Sequence, residues 1–105
     1  VNCIGAAVYT EKRIYVSEAS AVLHEFGHFL DCAMGFPQEH KDLYALEAAS
    51  APMKQHAKSN SLEYFAEFFA YWLSGSTRTL AQLKELTPET YVYFESLEIT
   101  HWFSA

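Results

Sequence analysis

Residues 22–31 read "VLHEFGHFLD", which puts His24, Glu25 and His28 in the order H-E-x-x-H. Four residues on an α-helix span about 400° and about 6 Å of axis, so His24 and His28 share one face, a single turn apart. Two imidazole nitrogens held that way can meet one zinc ion at about 2.0–2.1 Å. Glu25 follows the first histidine by about 100° round the helix. It flanks the metal without joining it, which is where a base that takes a proton from zinc-bound water belongs. Gly27 leaves room between the two ligands for another element to approach. The competing reading is three polar residues sharing a helix by accident. With five histidines in 105 residues, such a match arises by chance at about 2%. Val22, Phe26, Phe29, Leu30 and Ala33 recur at helical spacing and are expected to face a core, as an amphipathic metal-bearing helix requires.

Two histidines leave a catalytic zinc short of a third protein ligand, with the fourth position kept for water. Downstream, His40, His56 and His101 stand alone, whereas Glu63 and Glu67 lie one turn apart in "SLEYFAEFFAYWL". Tyr64, Phe65, Phe68, Phe69 and Trp72 make that helix apolar nearly all round, so several of its sides are expected to be buried. Glutamates are almost never buried unpaired, and two on one stripe of such a helix call for a cation. Glu63 is therefore expected as the third ligand. Glu67 suits the second shell, accepting the outward N–H of a ligand histidine; its plainer alternative is a solvated polar stripe. Asp31, three residues past His28, is expected to orient a ligand or bond backbone rather than to bind metal. Cys32 is expected to pack in the interior or to pair with Cys3, and the sequence leaves open whether the two are bridged.

Working outward, "GAAVYTEKRIYVSEAS" reads as two short β-runs, Ala6–Thr10 and Arg13–Ser17, joined by a polar turn at Glu11 and Lys12. Ser17 or Ser20 then caps a helix through the H-E-x-x-H motif to Met34, with Gly35 as the stop. A second helix is expected within His40–Ala51, ended by Pro52. A third runs from the Ser59-Asn60-Ser61 cluster to Gly75, a fourth spans Thr77–Leu86, and a fifth starts at Thr87-Pro88-Glu89 with proline at its first position. Glu95–Glu98 reads as an exposed helix face. The expected class is α+β, mainly α: a short β-hairpin or edge strand, then about five helices, in one domain over residues 1–105. A net charge of −6 with seven Lys plus Arg argues against nucleic acid as a partner, and no apolar run is long enough to span a membrane.

Taken together, "HEFGHFLD", "EYFAEFF", Gly35 and "LTPETYVYFESL" resemble the catalytic domains of the anthrax lethal factor-like and Pro-Pro endopeptidase-like zinc metallopeptidases, from about Leu23 to Leu97. The resemblance implies a zincin-like fold of the gluzincin type, one zinc ion per chain on His24, His28 and Glu63, and Glu25 as general base. It also implies a secreted peptidase of toxin or effector type, and a chain that is the core of a longer catalytic domain, truncated at its N-terminus. One departure stands out. Seven residues before the glutamate ligand this family carries a tyrosine that hydrogen-bonds the oxyanion, and here that position is His56. An imidazole can donate the same bond, so His56 is expected as a catalytic residue, with Tyr71 or Tyr91 as substitutes and a plain surface histidine as the bland alternative. A peptide or protein substrate is expected to lie extended along the edge strand near residues 14–16. Two other readings remain: an intracellular regulatory metallopeptidase that cleaves a repressor, and a non-catalytic zinc-binding interaction domain.

Overall fold

A computed structural model describes residues 19–98, with side chains from Val22 onward. The expected hairpin, the edge strand, Cys3 and His101 lie outside the described residues. Within them the chain is helical throughout: α1 (Ala19–Ala33), α2 (Gln38–Glu47), α3 (Ser61–Ser74), α4 (Thr77–Leu86) and α5 (Pro88–Ser96). Two 3₁₀ turns, Ala48–Ser50 and Gln55–Lys58, carry the chain from α2 to α3.

Local chemistry sets most of the helix ends. After Ala33 the chain turns through Gly35 at φ +81°, with Gly35 N–H bonded to the Cys32 carbonyl and Phe36 N–H to that of Asp31. Those paired bonds close α1 as a Schellman cap, a conformation glycine adopts at little cost. Asn60 caps α3 by accepting from the Glu63 amide at 2.9 Å, and Ser76 does the same for α4 through Thr79. Pro88 opens α5, but no side chain next to it supplies the cap. Instead the buried Glu47 of α2 reaches across and accepts from the amides of Glu89 and Thr90 at 2.9 and 2.7 Å. An anion at a helix N-terminus satisfies free amides and opposes the helix dipole.

The core gathers on α3. Tyr64, Phe65, Phe68 and Phe69 are buried there with Leu83 of α4 and Phe94 of α5, and Trp72 packs at the edge. The pattern of α1 is different from the expected one. Its most extensive contact is with α3, and a Cβ built on Gly27 would come within 2.7 Å of the Ala66 Cα. The helix therefore presents Gly27, Leu30, Asp31 and Met34 inward, spaced i, i+3, i+4 and i+7. Of the predicted stripe only Leu30 joins the core; Phe26 and Ala33 are exposed, and Val22 and Phe29 half-buried. Close backbone approach, which needs small residues, outweighed the larger apolar side chains in choosing the face.

Candidate metal centre

The same crossing builds the site. Gly27 stands between His24 and His28 on α1, and Ala66 stands between Glu63 and Glu67 on α3, so the contact that brings the backbones together also faces the two polar pairs. His24, His28 and Glu63 form a group whose donor atoms all lie within 4.8 Å of one another. His24 Nε2 is 2.8 Å from Glu63 Oε2, His28 Nε2 is 3.3 Å from Glu63 Oε1, and the two imidazole Nε2 atoms are 3.1 Å apart. Bonds of about 2.0–2.1 Å to a tetrahedral zinc would hold any two donors about 3.3 Å apart, so these separations suit one small cation. The Asn60 cap fixes the first turn of α3 at the Glu63 amide, so one bond both starts the helix and anchors a donor residue.

The chemistry of the donors agrees with their spacing. Glu67 Oε1 lies 3.4 Å from His24 Nδ1, near enough to accept an N–H from that nitrogen when Nε2 is given to a cation. His24 Nε2 faces a Glu63 carboxylate oxygen at 2.8 Å and the second imidazole nitrogen at 3.1 Å. The hydrogen bond to Glu67 is the main influence raising the pKa of His24 above its ordinary value, opposed by burial and reinforced by Glu63. For Glu63 burial acts upward, but His28, His24 and His56 together outweigh it and hold the carboxyl below the usual carboxylate range. The site is partly open, with His24, His28 and Glu63 side chains 16%, 27% and 20% exposed.

The remaining candidates divide. Glu25 is half-buried beside His24. His56 Nε2 reaches Glu63 Oε2 at 3.3 Å from the second 3₁₀ turn, with a side chain 77% exposed. Tyr71 sits two helical turns beyond Glu63, about 12 Å along the axis, and Tyr91 packs its ring on Trp72. Of these three side chains, His56 is the one placed against Glu63. Asp31 takes a partner the sequence did not suggest. Its Oδ1 is 2.7 Å from His40 Nδ1, and His40 Nε2 is 2.8 Å from the Tyr93 hydroxyl, in a buried chain that joins α1, α2 and α5. Cys32 is disulfide-bonded.

Residues 4–97 match the family model described as anthrax toxin lethal factor, N- and C-terminal domain. The chain belongs to that lethal factor family. The match takes in both helices of the metal centre and the 3₁₀ turn that carries His56. No curated protein and no solved structure matches the chain. Family membership, the helical frame and the convergence of His24, His28 and Glu63 thus describe one lethal factor-type domain.

Proposed function

We propose that this lethal factor-family domain is a zinc-dependent metalloendopeptidase, with one zinc ion on His24, His28 and Glu63. The observation that carries the reading is the donor set: two imidazoles and a carboxylate from two crossing helices, at separations suited to tetrahedral zinc, with an acid adjacent in sequence. Zinc held there supplies Lewis acidity, polarising a carbonyl and acidifying a water. Glu25 takes the water proton and returns it to the leaving amine. His56 donates its N–H to the oxyanion that develops on the scissile carbonyl. Glu67 keeps the N–H of His24 on Nδ1, so that Nε2 stays free for the metal. A secreted role fits the disulfide on Cys32, since such bonds persist in oxidising compartments.

The test measures zinc content and cleavage of a mixed peptide library for wild type and Glu25→Gln. One zinc per chain in both, with cleavage reduced about 10²–10⁴-fold in the variant, is the expected result. Zinc in both and cleavage in neither would favour the non-catalytic zinc-binding domain. No zinc in the wild type would overturn the reading.

A further inference from the structure

Three imidazoles, not two, close on Glu63. His24 and His56 both approach Oε2, at 2.8 and 3.3 Å, while His28 approaches Oε1. The His56–Glu63 separation matches the about 3.3 Å expected between two donors on one tetrahedral zinc, while the ring stands outside the group of three mutually close donors, so it reaches the metal position by turning toward it. The way His56 is held matters as much. Its carbonyl accepts from both the Ser59 amide and the Ser59 hydroxyl, and the neighbouring Ala57 is buried with its amide bonded to the Lys54 carbonyl. On the far side Tyr44 donates to the Lys58 carbonyl at 2.6 Å. The backbone of this turn is pinned on both flanks while the imidazole is largely exposed, so the ring can be redirected by side-chain rotation alone.

We propose that His56 is an exchangeable fourth ligand: with the cleft empty its imidazole takes the position otherwise left to water, and a substrate or other incoming ligand displaces it. This rests on the zinc reading above and adds regulation of the same centre. A tyrosine in this place would offer a protonated phenol at neutral pH, a poor zinc donor. Imidazole is among the commonest zinc donors, so a histidine here can do what the phenol cannot. The centre is then self-capped at rest, and the ring that has left the metal is the one positioned to donate to the oxyanion.

The test counts imidazoles. X-ray absorption on the zinc-loaded wild type should give three histidines in the coordination shell, and on His56→Ala two. Saturating acetohydroxamate should bring the wild type down to two and leave the variant unchanged. Competitive titration with zinc alone should show His56→Ala binding about tenfold more weakly. Because the side chain is so exposed, the thermal melts of the metal-free proteins should coincide, which separates a lost ligand from a lost fold. Two imidazoles in the zinc-loaded wild type, or equal affinities, would overturn the exchangeable ligand while leaving the peptidase reading intact. A wild type that binds no zinc would overturn both.

Discussion

Helix α1 carries two histidine–carboxylate constellations on successive turns, and they are built in opposite ways. At His24 and His28 two imidazoles and Glu63 crowd one point, each contact 2.8–3.3 Å, at the open edge of the α1–α3 crossing. At Asp31 the chain is closed. His40 Nδ1–H donates to Asp31, Tyr93 O–H donates to His40 Nε2, both His40 and Asp31 side chains are 2% exposed, and the imidazole stacks on Phe65 at 4.0 Å. The first arrangement gathers donor atoms within 4.8 Å of one another, as one small cation would require. The second alternates donor and acceptor along the chain, and Asp31 Oδ2 is left buried without a partner among the described residues. Equal residue types thus serve binding where lone pairs converge and serve anchoring where donors and acceptors alternate.

Removing one member of each constellation should separate them most sharply. Glu63→Ala is expected to abolish stoichiometric zinc binding, because two histidines alone do not hold a structured site. His40→Ala should keep one zinc per chain yet lose about 1–3 kcal/mol of stability, since it leaves buried Asp31 Oδ1 without its hydrogen-bond partner. Metal analysis together with urea denaturation reads both quantities on both variants. Zinc lost from His40→Ala while the fold survives would show that the inner chain also sets the ligands, and the contrast would break.

Gly27→Ala probes what the two regions share. The added Cβ would meet the Ala66 backbone at 2.7 and 2.9 Å, and backbone cannot step aside as a side-chain tip can. The two helices must separate, at a cost of about 1–3 kcal/mol for overpacking. His24 and His28 flank Gly27 directly, so zinc affinity should fall together with the melting temperature. His40 lies on α2, and its hydrogen bonds should persist in the folded variant. A variant with unchanged zinc affinity would mean that the crossing distance does not tune the donor set.

The unequal legibility of the two regions has a physical cause. His24 and His28 were readable because helix geometry converts a four-residue spacing into adjacency, and Glu63 because a carboxylate on an apolar helix asks for a cation. Asn60, Pro88 and Gly35 were readable as helix ends because the signals that end a helix are short-range. Nothing local marks His40, which was read as a lone histidine; its partners are nine residues back and fifty-three ahead. Glu47 is a similar case, capping α5 from forty-two residues away. The inward face of α1 departs from its stripe of large apolar residues because the fold uses the face that lets Gly27 approach Ala66. Family membership enters from the comparison of the chain as a whole, residues 4–97, and not from any single spacing.

The smallest effect comes from the phenol that ends the inner chain. Burial, with Glu39 and Asp31 nearby, pushes Tyr93 up to about 12, and burial does the same for Tyr64, whose hydroxyl bonds Thr90. A tyrosine in the unfolded chain ionises near its ordinary value of about 10. From there up to about 12 the unfolded state therefore releases protons that the native state retains, and stability falls as pH rises through that window; below it these two groups contribute no pH dependence. An absorbance titration of phenolate in the native protein should show Tyr64 and Tyr93 among the last of the seven tyrosines to ionise, and Tyr93→Phe should delete one late step without touching the early ones. If Tyr93 instead ionised with the solvent-facing tyrosines, its hydroxyl would be bonded to water rather than to His40. The inner constellation would then be as open as the metal centre, and exposure alone, not the pattern of donors and acceptors, would have to explain why only one of them gathers its lone pairs on a single point.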